Sequence, residues 1–159
     1  MRIGFASDIH RLVPNRKLIL AGVVIPYDKG ELAHSDGDVV YHSVSESILG
    51  ALALGDLGQH FPDTDDASLN MDSAIIMNHV YQLMDAQGYE INNIDISITL
   101  EEPKLKKHKN QMKENIAKLL HTDLANVSLK AGTNEGMDAV GAKLAVKAES
   151  IVLLKKKGK

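Results

Sequence analysis

The chain has 159 residues, a length that fits one domain and buries a core without disulfide or metal staples. An apolar fraction of 44% argues against disorder, and 18 basic against 21 acidic residues leave a net charge of −3, with no global field to hold a polyanion. Two Phe, four Tyr and no Trp make a stacking platform for bases a poor fit, and the lack of Cys excludes thiol catalysis and thiolate metal sites.

The chain opens MRIGFASDIHR, without the apolar core of a signal peptide, and its longest apolar run, Leu18 to Ile25, is too short to span a bilayer. The expected location is cytoplasmic, with no membrane and no nucleic-acid partner. Arg2 to Asp8 reads as a short strand. Lys17 to Ile25, with Ala21-Gly22 at its middle, reads as one bent strand or two short ones, closed off by Pro26 and Gly30. His34 to Asp38 is polar and turn-like. Val39 to Leu54 has the spacing of a helix, with Val40, Val44, Ile48, Ala51 and Leu52 on its inner face, Asp36 or Asp38 as cap and Gly55 as its end.

Residues 56 to 70 carry several Asp and Pro62 without periodicity and read as a loop, longer than most structural loops and therefore of functional interest. Ser73 to Gln87 predicts a second helix with Ile76, Val80, Leu83 and Met84 inward and Gly88 as its stop. Ile94, Ile96, Ile98 and Leu100 alternate in a strand over Ile91 to Leu100, broken by Pro103. Lys106 to Leu120 predicts a third helix with Met112, Ile116 and Leu119 inward, and Val127 to Ala131 a short strand. Lys143 to Lys155 fits both periods; its β-branched content favours a strand. The basic tail from Lys155 reads as a solvated end. With no repeat and no long linker, residues 1–159 form one α+β domain (an α/β sandwich), a mixed sheet of about four main strands with helices packed on one face.

Asp8 and His10 stand two apart. On an extended segment they project from one face and can close on a single ion. His42 falls on the first turns of the helix after the polar loop. Asp, His and His make a nitrogen and oxygen set suited to zinc or another divalent ion, and three protein ligands leave a fourth position open. An Asp-x-His pair also arises easily by chance among seven histidines, so the surrounding sequence decides.

That surrounding sequence runs Asp8-Ile9-His10-Arg11, then Ala33-His34-Ser35-Asp36-Gly37-Asp38 with His42 four residues on, then Gly55-Asp56-Leu57-Gly58-Gln59-His60-Phe61-Pro62-Asp63-Thr64-Asp65. These blocks, in this order and over nearly the whole length, resemble the 2-C-methyl-D-erythritol 2,4-cyclodiphosphate synthases of the non-mevalonate isoprenoid pathway. The resemblance implies a trimer-forming α/β protein that cyclises 4-diphosphocytidyl-2-C-methyl-D-erythritol 2-phosphate and expels CMP. It implies zinc on Asp8, His10 and His42, and Mg²⁺ or Mn²⁺ beside the substrate diphosphate with Glu135 as ligand. Asp8 and His10 would thereby also face the substrate.

The same resemblance gives His34 and Ser35 phosphate and transition-state contacts, and Thr133 the second transition-state contact within Ala131-Gly132-Thr133-Asn134-Glu135. Asp56, Leu57, Gly58, Phe61, Pro62, Asp63, Thr64 and Asp65 correspond to the methylerythritol site. Leu100, Pro103, Lys104, Leu105 and Lys106 correspond to the cytidine pocket, which in this family forms against a neighbouring subunit of a homotrimer. Lys104 to Lys109 is therefore read as a helix start beside a nucleotide pocket rather than as a nucleic-acid patch.

Three departures stand out. Ala6 replaces a usual Gly, Glu46 stands where Asp is common, and Asp138 to Ala145 lacks the Phe and Arg that in relatives line a threefold cavity able to hold an isoprenoid diphosphate. Ala139 and Ala142 occupy those two positions. Two other readings remain: a metabolite-binding trimer without turnover, and a zinc-dependent hydrolase of another phosphoester. Thr133, Glu135 and Lys104 disfavour the hydrolase, which has no need of a CDP pocket.

Overall fold

The structure, a computed structural model, describes residues 1–64 and 66–158. Strand β1 (Arg2–Pro14) is followed by a hairpin, β2 (Leu18–Leu20) and β3 (Val23–Ile25), then by β4 (Lys29–Leu32) and helix α1 (Val39–Leu52). A short helix α2 (Leu57–His60) and a 3₁₀ turn (Asp66–Ser68) precede α3 (Ser73–Ala86). Strand β5 (Tyr89–Thr99), α4 (Lys109–Leu119), a second 3₁₀ turn (Leu124–Asn126), β6 (Val127–Gly132), the single-turn helix α5 (Asp138–Gly141) and β7 (Ala145–Lys156) complete the chain.

The main sheet has five strands in the order β4-β1-β7-β5-β6, one more than the sequence suggested. Only the β5–β6 pair is parallel; α4 makes the crossover between those two strands. The additional strand is β4, Lys-Gly-Glu-Leu, which lacks an apolar alternation. It becomes a strand by pairing with Arg11 to Pro14 at the far end of β1. The same pairing, with β7 against Arg2 to Arg11, carries β1 six residues beyond the expected Asp8. The extension was hidden because its inward positions include the polar His10.

Lys143 to Lys155 resolves as strand. Ala145 to Lys156 pairs on both sides, with β1 and β5, and a central strand of this kind suits β-branched residues. Ala21-Gly22 splits the second segment into two strands. Both residues have positive φ (49° and 73°), the turn geometry that matches strand twist. The expected loop contains α2 and the Asp66–Ser68 turn, and α4 begins at Lys109 rather than Lys106. Leu120, not Leu119, fills the core beside Met112 and Ile116; Leu119 is half-buried.

The helices cover one face of the sheet. Even-numbered residues of β1 from Gly4 to Leu12 turn towards them, while Ile3, Phe5 and Ile9 stay exposed on the other face. Helix α1 lies between the sheet and α3 and buries eleven of its 14 residues, so apolar burial fixes its position far more than helix propensity does. It approaches β1 so closely that a Cβ on Gly4 would sit 1.9 Å from the Ser47 carbonyl oxygen. Ala6, where relatives carry Gly, has no positive φ and packs as an ordinary buried methyl.

Asp38, rather than Asp36, caps α1, accepting from Tyr41 N at 3.1 Å. It also accepts from the N–H groups of Ala21 (3.0 Å) and Gly22 (2.7 Å), which pins the β2–β3 turn to the start of α1. Burial pushes the Asp38 carboxyl up to about 6, against the pull of those three donors. Helix α1 ends at Leu52 with Ala53 left-handed at φ 58°, ahead of the expected Gly55.

Candidate metal and phosphate site

The inward face of β1 carries Asp8 and His10 to the first turn of α1, where His42 stands one turn past the cap. Asp8 Oδ2 lies 3.0 Å from His10 Nε2 and 3.6 Å from His42 Nδ1. The two imidazoles meet edge to face with centroids 5.1 Å apart. The three ligand atoms fall within 4.8 Å of one another. Tetrahedral zinc with arms of about 2.0–2.1 Å sets its donors roughly 3.3 Å apart, so the donor set fits such an ion.

The remote nitrogens are already occupied. His10 Nδ1 donates to Gly37 O at 2.6 Å, and His42 Nε2 lies 3.0 Å from Ser73 Oγ and 3.2 Å from Ser35 Oγ. Each ring is thus oriented from behind, with its other nitrogen facing Asp8. Burial works to raise the Asp8 pKa, but the neighbouring imidazoles of His10 and His42 outweigh it and hold the carboxyl far below its usual range. Burial likewise works to lower His10, and the bond and charge of Asp8 reverse the sign, so its pKa is raised.

The cluster opens into a cleft of about 370 Å³ lined also by His34, Ser35, Leu57, Gly58, Phe61 and Asp63. Thus the structure gathers the expected metal ligands, the His-Ser pair and much of the methylerythritol loop. Asp56 stands at the edge of this group as the cap of α2. It accepts from Gln59 N at 3.1 Å while the Gln59 side chain accepts from Asp56 N, a reciprocal capping box. His60 Nε2 contacts Leu54 O at 3.0 Å, and His79 Nε2 lies 3.4 Å from His60 Nδ1 with its ring edge-on to Phe61, which holds the loop against α3. Pro62 and Thr64 follow on the exposed stretch of that loop; Asp65 lies outside the described residues. Sequence reasoning missed Met71 and Ile76 as cleft walls, and Ser73 behind His42. The first two look like ordinary loop and helix residues, and only the motif position of Glu46, also in the wall, hinted at its place.

The remaining expected residues lie away from this cleft. Leu100, Pro103, Lys104, Leu105, Ala131, Gly132 and Thr133 line a depression of about 80 Å³ where β5 and β6 end, and it shares no lining residue with the first cleft. Lys106 borders Lys104 and Lys107 on the adjoining surface. Asn134 and Glu135 continue the turn. Glu135, left-handed at φ 52°, has its N–H 3.4 Å from Thr133 Oγ1 and is exposed. Within one chain, the residues expected to hold cytidine and the second cation therefore do not meet the Asp8 cluster.

The profile of the YgbB family matches residues 1–155. A protein of Clostridioides difficile named 2-C-methyl-D-erythritol 2,4-cyclodiphosphate synthase is 50% identical over 154 residues, covering 97% of this chain and 96% of its own. Among solved structures, the IspF–CDP complex of Plasmodium falciparum superposes with a TM-score of 0.87 at 34% identity, covering 99% of this chain and 97% of that one. The bifunctional IspDF of Campylobacter jejuni gives a TM-score of 0.93 at 41% identity over 98% of this chain; the chain spans 42% of that longer protein. Sequence over the full length, fold and the Asp-His-His geometry agree: the chain belongs to the YgbB family, with the 2-C-methyl-D-erythritol 2,4-cyclodiphosphate synthases.

Proposed function

We propose that this chain is a phosphorus–oxygen lyase that converts 4-diphosphocytidyl-2-C-methyl-D-erythritol 2-phosphate to 2-C-methyl-D-erythritol 2,4-cyclodiphosphate and CMP, in the non-mevalonate isoprenoid pathway. The observation that carries the reading is the Asp8–His10–His42 cluster, three donor atoms within 4.8 Å of one another that open into a cleft beside His34 and Ser35. An oxygen of the 2-phosphate forms a bond to the β-phosphorus. The bond from that phosphorus to the oxygen bridging to the α-phosphate breaks, and CMP leaves with the bridging oxygen.

The nucleophile is already an anion, so the barrier is charge repulsion and in-line geometry rather than proton removal. Asp8, His10 and His42 would hold zinc and Glu135 would hold Mg²⁺ or Mn²⁺, cations that neutralise phosphate charge. His34 and Ser35 grip phosphate oxygens on one side, and Thr133 on the other. Asp56 and Asp63 accept the methylerythritol hydroxyls, and Phe61 walls off water. Lys104 and the backbone of Leu100 to Lys106 take the cytidine.

The separation of the two clefts within a chain supports a site shared between subunits of a homotrimer. So does the sheet face left open by the helices. Ile3, Phe5 and Ile151 stand there, 70%, 61% and 48% exposed, with Phe5 directly opposite Ile151. Such an apolar stripe is costly in water and fits a subunit contact.

Phosphorus NMR of the substrate with purified protein, zinc and magnesium tests the proposal. Cyclic diphosphate and CMP are the expected products, and EDTA or His42→Ala suppresses them. Intact substrate with bound CDP would favour a binding trimer instead. Linear products carrying solvent oxygen would favour a hydrolase. Sedimentation of the protein and of Phe5→Glu tests the assembly: a trimer is expected, and the variant dissociates it.

A further inference from the structure

We infer that Ser73, held by Asp36, is a positioning residue that sets the tautomer of His42 and thereby the affinity of the Asp8–His10–His42 site for a divalent cation. The inference rests on the metal reading above and adds residues that it does not contain.

Ser73 is fully buried at the first position of α3. Its hydroxyl donates to Asp36 Oδ1 and its backbone N–H donates to Asp36 Oδ2 at 3.0 Å. Asp36 is itself fixed: its N–H donates to Met71 O at 3.0 Å, and Oδ1 also accepts from Asp38 N at 3.1 Å. A carboxylate is an acceptor only, so the single hydrogen of the Ser73 hydroxyl is committed to it. Towards His42 Nε2, at 3.0 Å, Ser73 Oγ can then only accept. The hydrogen between them must belong to the ring. That places the neutral imidazole proton on Nε2 and leaves the lone pair on Nδ1, the nitrogen that faces Asp8 Oδ2.

Ser35 cannot replace this device. Its Oγ is farther from His42 Nε2, at 3.2 Å, and accepts from Gly37 N. Among the described residues no carboxylate claims its hydrogen, so its hydroxyl can turn towards the ring or towards a phosphate. The Asp36–Ser73–His42 chain also spans 37 residues of sequence and ties the start of α3 to the metal ligand on α1. Docking of α3 therefore brings the orienting hydroxyl up to the cation site.

The test compares the parent protein with Ser73→Ala and Ser73→Thr, measuring zinc affinity by competition with a chromophoric chelator. Long-range proton–nitrogen NMR of His42 in the zinc-free proteins, at mildly alkaline pH, reads the tautomer directly. Loss of such outer partners typically weakens metal binding about 10- to 100-fold, which is the expected effect of Ser73→Ala, while Ser73→Thr keeps the hydroxyl and the parent's affinity. The parent should show the proton on Nε2, and Ser73→Ala a mixture. Folding is not at stake in the alanine variant, because Asp36 keeps the N–H groups of Ser73 and Asp38. Zinc affinity unchanged in Ser73→Ala, or a parent with the proton on Nδ1, overturns the inference. A parent that binds no zinc overturns the metal reading instead, and the NMR comparison then decides the orienting role alone.

Discussion

The carboxylate of Glu101 accepts the backbone N–H of Asn134 at 2.6 Å and lies 3.4 Å from that of Gly136, joining the end of β5 to the turn that carries Thr133 and Glu135. Two donors of an exposed turn thus share one anchor, and the turn's left-handed residues, Glu135 and Gly136, have a fixed partner. Charge-assisted bonds of this type are worth more than neutral ones. Glu101→Ala is expected to weaken CDP binding about tenfold, roughly 1.4 kcal/mol. Glu101→Gln, whose amide oxygen still accepts, stays within a few fold. Calorimetry with CDP checks both; equal affinity in the alanine variant would show that the turn holds itself.

Glu31 on β4 is fully buried, with Oε1 accepting Val39 N at 3.1 Å. Burial, with Asp38 nearby, raises its pKa well above the usual carboxylate value. Between the unfolded and folded pKa values the native state binds the extra proton, so Glu31's contribution to stability is complete at low pH and fades as pH rises through the folded pKa. Glu31→Gln mimics the protonated form. In EDTA-treated protein the variant should lose less stability than the parent between mildly acidic and alkaline pH. Parallel urea-unfolding curves across that range would contradict the assignment.

A methyl group at Gly4 would meet Ser47 O at 1.9 Å and Ala51 N at 2.8 Å, both backbone atoms of α1 that cannot swing aside. Gly4→Ala should therefore push α1 off the sheet and cost about 1–3 kcal/mol, the usual range for overpacking. Denaturant unfolding measures it, and a midpoint equal to the parent's would refute the close approach. Because α1 carries His42, zinc affinity should fall with it.

Lys143 is spoken for. Its Nζ lies 2.8 Å from Glu102 Oε1, so it does not stand in for the Arg that relatives carry where this chain has Ala142. In the proposed trimer, an anion on the threefold axis would be left without a bidentate partner. The expectation is no saturable binding of geranyl or farnesyl diphosphate in calorimetry. Stoichiometric binding at one per trimer would disprove it.

Much of this molecule was written in local pattern. The alternation from Ile94 to Leu100 gave β5 with its buried face, and the threes and fours of α1 and α3 gave helices whose inner residues are buried as expected, except Leu83, which is half-buried while Met77 fills the core instead. Asp8 and His10 share a face because a strand repeats every two residues, a rule that needs no partner. The motif blocks then named His42, and the structure brings its Nδ1 to 3.6 Å from Asp8.

What sequence could not carry was anything created by a distant partner. Strand β4 exists because Arg11 to Pro14 lies beside it, and β1 extends past Asp8 for the same reason. The Ser73–Asp36 bond crosses 37 residues and the Glu101–Asn134 bond 33, so neither leaves a periodic trace. Local propensity and hydrophobic period decide which segments become helices and strands. Only tertiary packing decides which hydrogen-bonding atoms those segments bring face to face, and the orientation of His42 depends on that second choice.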